Sequence, residues 1–201
     1  MATIAIDTSL DVRLAVVDKN RYITRGCEDP RAHVEQLAPL LADALAEAGE
    51  PVVERVVVGV GPGPFTGLRV GIAAAQALAF VHDAELVCVC SLDVLARQLA
   101  PQPGEFSVVT DARRGEWYHA RYAADGHRLG SPAAGAPEQV PGPHVGPVVD
   151  DMHLDPVVLA TGEFDALPPQ ALYLRDPDAK VPTRRKSALV PGLVLPTGGA
   201  S

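Results

Sequence analysis

Residues 61–71 read Gly-Pro-Gly-Pro-Phe-Thr-Gly-Leu-Arg-Val-Gly, the composition of a loop that could hold a phosphate. A glycine turn feeding a helix offers an anion free N–H groups and the positive end of a helix dipole. The spacing does not match that chemistry. No Lys-Ser or Lys-Thr follows Gly67, as a phosphate-cradling P-loop requires. The dinucleotide pattern Gly-x-Gly-x-x-Gly fails as well, because Gly61-x-Gly63 is followed by Thr66 and Gly59-x-Gly61 by Pro64. Pro62 and Pro64 remove two of the N–H donors such a loop would use.

Other reactive groups are no better placed. A helical pair of metal-binding histidines would need a second His four residues after His33, where Leu37 stands. His82, His119, His127, His144 and His153 show no such pairing and no neighbouring Cys, so no metal site is expected. Ser9, Ser91 and Ser107 lack the Gly-x-Ser-x-Gly setting of a nucleophile elbow, and no catalytic residue is assigned. Asp7-Thr8-Ser9 ends an apolar run. The preferred reading of Asp7 is a turn-capping carboxylate; a vestigial nucleotide pocket of Asp7, Thr8 and Ser9 is the alternative.

The glycines therefore call for another account. Gly67, Gly71 and Ala75 lie four apart, one above another on a helix face, with Ala74 beside them. Helical glycines cost about 1 kcal/mol each relative to Ala, and a close approach of another element would offset that cost. That element is either the protein's own sheet or a second protein.

The elements that must position these residues alternate along the chain. Thr3–Asp7 and Val12–Asp18 have strand character, and Asp18-Lys19-Asn20 reads as a turn into a third strand, Arg21–Arg25. A helix spans about 33–48, with Leu37, Leu41, Ala44 and Leu45 on one stripe and Pro39 inside it, so that it starts late or kinks. Gly49 is placed to end it. Val52–Val60 is the next strand, the glycine segment opens a second helix, Leu86–Cys90 is a fifth strand, and Ser91 is placed to cap a helix to Leu99. Beyond Pro101–Gly104 the opening pattern returns, with the strand Phe106–Asp111, a polar turn and the strand Glu116–Tyr122. Five prolines between 131 and 147 predict a loop, and Val157–Ala160 is read as one more strand.

Composition narrows the classes. A chain of 201 residues suits one domain or two small lobes. The start lacks a basic signal-peptide region, and no apolar run is expected to approach the roughly 18 residues of a membrane span. Cys27, Cys88 and Cys90 cannot make a disulfide framework, which points to a reduced, cytoplasmic protein. A net charge of −8, with Arg184-Arg185-Lys186 the only dense basic cluster, argues that any work on RNA goes through a partner.

Four landmarks in order resemble the TsaB (YeaZ) family of tRNA threonylcarbamoyladenosine biosynthesis subunits. They are Asp7-Thr8-Ser9 at a strand end, His33-x-Glu35-x-Leu37 followed by Pro39, the Gly61–Gly71 segment, and Asp111-Ala112-Arg113 with Gly115-Glu116; a late Tyr173-Leu174-Arg175 also fits. Pro64 and Val34 depart from the serines usual at those places. The resemblance covers residues 2–175 and implies an α/β, actin-like/Hsp70-like ATPase fold built on a ribonuclease-H-like unit, in two lobes. The first lobe would be residues 1–103, a degenerate, shortened second lobe 104–175, and a proline-rich tail 176–201. It further implies a non-catalytic subunit that pairs with its catalytic relative TsaD and works beside the ATPase TsaE, meeting tRNA only through the complex. No tightly bound cofactor is expected on this chain; ATP and metal belong to partner subunits. The resemblance places the partner interface on Leu37, Leu41, Leu45, Gly67, Leu68, Arg69, Gly71, Ala74, Ala75 and Leu78, with a homodimer through the same patch as the fallback. The rival reading is an ATP-binding ATPase or small-molecule kinase, weakened by Arg113 where a glycine turn is expected and by the single glycine of Thr161-Gly162-Glu163.

Overall fold

The computed structural model describes residues 1–28 and 33–174; the expected tail 176–201, with its Arg184–Lys186 cluster, lies outside them. Three strands open the chain, β1 (Ala2–Asp7), β2 (Val12–Asp18) and β3 (Arg21–Cys27), joined as an antiparallel meander. The tight turn at Lys19, whose φ is 53°, makes the β2–β3 hairpin. Helix α1 (His33–Ala48) leads to β4 (Val53–Gly59), α2 (Phe65–His82) to β5 (Glu85–Val89), and both returning strands pair in parallel. The resulting sheet has the order β3-β2-β1-β4-β5.

Burial on both faces explains why β1 and β4 read as unbroken apolar runs. Ile4, Ile6, Val56 and Val58 point to the side covered by α1 and α2. Ala5, Val57 and Val89 point to the other, where α3 (Ser91–Leu99) packs through Leu92 and Leu95. Pro39 sits inside α1 on its exposed side, where the helix continues without its N–H. Gly49, at φ 80°, ends the helix as expected, its N–H donating to the carbonyl of Ala46.

A second sheet, β8-β7-β6-β9, follows, built from β6 (Phe106–Asp111), β7 (Trp117–Tyr122) and the short strands β8 (Ala133–Gly135) and β9 (His144–Val145). Phe106 and Tyr122 stack on each other and face α3. The Tyr122 hydroxyl donates to Asp93 Oδ1 on α3 at 2.8 Å, and Arg128 Nη1 lies 3.3 Å from the other carboxylate oxygen. Burial pushes the Asp93 carboxyl above its ordinary range despite these partners.

Four expectations need correction. Residues 131–147 are not loop alone, since β8 and β9 extend the second sheet from within the proline-rich stretch. Val157–Ala160 is helical, part of α4 (Pro156–Thr161). Its start is set by Asp155, whose side chain accepts from the Val157 N–H at 2.8 Å, and by Pro156 in the first turn. Ser91 is the first helical residue of α3 rather than its cap. Finally, α2 is long and apolar enough to cross a membrane by length and composition, although here it packs on the sheet with a third of that stretch buried.

After β9 the chain returns to the first sheet. Helix α4 packs across β1 and β2. The Leu167 N–H then donates to the Cys88 carbonyl and the Leu172 N–H to the Val60 carbonyl, both at 2.8 Å, returning the backbone to the first sheet. Leu159 and Ala160 fill the face that α3 alone leaves open.

Removing the Tyr122 hydroxyl should leave the largely buried Asp93 carboxyl with only Arg128 and the Cys90 thiol beside it. Tyr122→Phe is expected to lower stability by about 1–3 kcal/mol in urea unfolding, with a native circular dichroism spectrum.

Candidate functional site

The ends of β1 and β4, the start of α2 and the start of α3 converge on one carboxylate. Asp7 closes β1 with 1% of its surface exposed. Its Oδ1 accepts from the Ser9 N–H at 2.8 Å and from the Ser9 hydroxyl at 2.6 Å. Its Oδ2 accepts from the Ser91 hydroxyl at 2.6 Å, across 84 residues of sequence. Ser91 in turn accepts from the Gly61 N–H at 3.2 Å, and its own N–H donates to the Gly61 carbonyl at 2.8 Å. Burial, the largest influence, raises the Asp7 carboxyl above its ordinary value; the three donors pull it back only in part.

The glycines follow from this cluster. A Cβ on Gly59 would lie 1.8 Å from Asp7 Oδ2, one on Gly63 2.5 Å from the Ser9 carbonyl oxygen, and one on Gly71 2.3 Å from Thr8 Oγ1. The Thr8 hydroxyl donates to the Gly67 carbonyl of α2 at 2.8 Å. Segment 59–71 therefore wraps the turn Asp7-Thr8-Ser9, and its glycines make room for that turn rather than for a phosphate. Asp7, Thr8 and Ser9 do come together, but as a closed knot: each is buried and each side chain is engaged within the chain.

This packing turns part of the expected docking face inward. Gly67, Leu68, Gly71 and Ala75 are buried toward the sheet, as is Leu37 of α1. Leu41, Leu45, Ala74 and Leu78 are partly buried against the same core. Only Arg69 of the expected set stands in solvent, its guanidinium 4.9 Å from the Phe65 ring centre. The opposite face of α2 carries what the small residues leave uncovered: Ala73 and Ala77, then Phe80 and Val81 with 88% and 75% of their surfaces exposed.

Sequence reasoning missed Ser91 as the partner of Asp7. The signal was a hydroxyl at a strand-to-helix junction in the neighbouring crossover, whose pairing with Asp7 needs the sheet order to be known. The echo between the two halves is real at this level. Asp111 ends β6 and accepts from the Arg113 N–H at 2.7 Å, the same two-residue turn as Asp7 and Ser9, but Asp111 is exposed. Arg113, Arg114 and Gly115 continue it with φ values of 63°, 57° and 77°. Among the described residues no group of three or more His, Cys, Asp or Glu side chains is arranged to hold a metal ion. Cys90 lies in the core, its thiol pushed up to about 12 chiefly by burial.

The cluster ties the end of β1 to the loop before α2 and to the start of α3. The carboxyl takes three donors from its own chain and is shut away from solvent.

Comparison with known proteins adds an independent line. The family model described as "TsaD: tRNA N6-adenosine threonylcarbamoyltransferase" matches residues 28–151. The uncharacterized protein ML0378 of Mycobacterium leprae is 41% identical over 188 residues, which is 84% of this chain and 51% of that protein. The tRNA threonylcarbamoyladenosine biosynthesis protein TsaB of Escherichia coli is 32% identical over 130 residues, covering 62% of this chain and 56% of that one. The chain thus spans about half the length of these two relatives. Among solved structures, YeaZ from Pseudomonas aeruginosa superposes with a TM-score of 0.62 at 31% identity, over 71% of this chain and 70% of that one.

Asp7 gives two measurable consequences. Asp7→Ala orphans buried donors from Ser9 and Ser91 and should cost about 1–3 kcal/mol for each, read by denaturant unfolding. A carboxyl whose folded value is raised contributes stability fully present below the unfolded value of 3.8 and lost as pH rises through the raised one. The stability of wild type minus that of Asp7→Asn should therefore fall as pH rises from about 4 toward neutrality; a flat difference would show that Asp7 does not titrate upward. Gly71→Leu should destabilise the isolated chain by about 1–3 kcal/mol, because its side chain meets Thr8 before any partner.

Proposed function

This chain belongs to the TsaB (YeaZ) family, and on that premise we propose that it is a non-catalytic, activating subunit of the machinery that transfers threonylcarbamoyl to tRNA. The target is the adenosine next to the anticodon in tRNAs reading ANN codons. The chain acts by forming a heterodimer with TsaD, alongside the ATPase TsaE, in the cytoplasm, and meets tRNA only through that complex. ATP and metal are held by the partner subunits.

The observation that carries this reading is the uncovered apolar face of α2. Phe80, Val81, Ala73 and Ala77 form an exposed surface on a helix whose other side is locked to the sheet through Gly67 and Gly71. An apolar face with small residues at its centre suits close packing against another helix. Equivalent helices on a paralogue make the contact quasi-symmetric, so the same face supports a homodimer when the partner is absent. The net charge of −8 argues against direct gripping of tRNA.

The closed knot around Asp7 speaks for a scaffold over an ATPase or kinase. A nucleotide phosphate approaching β1 would have to displace Ser9 and Ser91 from both oxygens of that carboxylate.

Light-scattering chromatography of the chain, alone and mixed with TsaD from the same organism, tests the proposal. A one-to-one complex is expected, and Phe80→Asp should abolish it while leaving the thermal unfolding midpoint within a few degrees of wild type, because the side chain is exposed. Separate elution of the wild-type proteins, with and without ATP, would refute the partner assignment.

A further inference from the structure

Beside the outer face of α2 lies a groove that no reading of the sequence anticipated. It opens between the first half of the helix and the returning segment 169–173, with a volume of about 580 Å³. Phe65, Arg69, Ile72 and Ala73 of α2 line it on one side and Gln170 and Tyr173 on the other. The two walls are joined by contacts within the chain. Phe65 and Tyr173 stack with ring centres 5.0 Å apart, the Leu172 N–H is tied to Val60, and the Gln76 side-chain amide reaches the Pro169 carbonyl at 3.5 Å. A surface already held in its bound shape loses little entropy on association.

We propose that this groove is the second half of the docking surface, and that it takes an acidic, apolar-flanked segment of the partner chain whose carboxylate meets Arg69. The inference rests on the TsaD reading given above. Its first support is charge. Helix α2 contains no Asp or Glu, and among the described residues Arg69 makes no ion pair. Its guanidinium lies over the Phe65 ring at the mouth of an apolar groove, in a chain of net charge −8. A cation lying over an aromatic face, with no ion-pair partner among the described residues, is complementary to a carboxylate delivered from outside. The second support is continuity. Ala73 lines the groove and also belongs to the exposed stripe that runs on to Ala77 and Phe80, so a partner covering that stripe runs directly into the groove. The third is composition: Phe65, Tyr173 and Arg69, with the two aromatic rings nearly half exposed, are residue types that anchor protein interfaces.

Calorimetric titration of the full chain with TsaD tests this. Tyr173→Ala and Arg69→Glu are each expected to weaken binding by about tenfold or more, the loss of one anchor. Arg69→Glu should also flatten the dependence of affinity on salt. In hydrogen exchange, residues 169–173 should become protected in the complex. If Phe80→Asp abolishes binding while both groove variants bind like wild type, the partner reading stands and the groove proposal falls. If wild type does not bind TsaD, both fall. If the groove is protected in the free chain and opens in a Leu193→Asp variant, the occupant is the chain's own C-terminal segment, which also overturns the proposal.

Discussion

A carboxylate shut out of water must find its partners inside the protein, and the choice of partners for Asp7 fixes four elements relative to one another. Ser9 closes the turn that follows β1, and Ser91 brings in the start of α3. Gly61, bonded to Ser91 in both directions, fastens the loop before α2 to the same point. Burial of the carboxylate opposes all of this, as its raised value indicates. The cluster is thus held by the fold as much as it holds it. Charged groups in such positions contribute little net stability, but loss of one side of the arrangement is costly, because orphaned donors stay buried.

The space this knot occupies dictates the residue types around it. With Asp7 and Thr8 filling the layer between sheet and helix, the neighbouring backbone has room only for hydrogen at positions 59 and 71. Helix α2 sits low on the sheet as a result. It buries Gly67, Gly71, Ala75 and Ala79 together with Leu68 and Ile72, and leaves its two aromatic side chains, Phe65 and Phe80, on the outside. Core burial is normally the stronger pull on a Phe side chain, by about 1.5–3 kcal/mol. Here the inner face has no volume to offer it. The exposed aromatic face and the glycine-rich inner face therefore have a single cause, and a surface of that kind on a rigid support is what a docking partner needs.

Much of this could be read from the chain itself, and the parts that could not share a physical origin. The three opening strands, α1 with its Gly49 stop, and β4 and β5 as strands come from local periodicity and turn chemistry, which neighbouring residues decide. The fourfold spacing of Gly67, Gly71 and Ala75 correctly announced a close approach, and left open whether sheet or partner made it. That choice depends on Thr8, 63 residues from Gly71 along the chain, and no local pattern records it. Ser91 was legible as a helix-start residue, yet its hydroxyl serves Asp7 on another strand. At Val157–Ala160 an apolar run of four fits strand or helix equally, and the Asp155-Pro156 start decides for helix. The groove beside α2 needed residues 65 and 173 together, a pairing created only when the chain returns to the first sheet.

The same geometry bears on why a nucleotide-binding architecture would serve as a scaffold. The turn after β1 and the turn after β6 have the same local form, each an Asp accepting from the N–H two residues on. In the second half the Asp is exposed and followed by two arginines. In the first half the Asp is buried beneath Ser91 and the wrapped glycine loop. Opening that site would mean pulling α2 and α3 away from β1 together, since both are fastened to the same turn. An active ATPase needs that region to exchange ligands at each turnover, whereas a docking subunit needs it to stay shut. On the proposed reading, the rigidity that costs the chain a nucleotide site is what keeps the outer face of α2, and the groove beside it, in one shape for a partner to recognise.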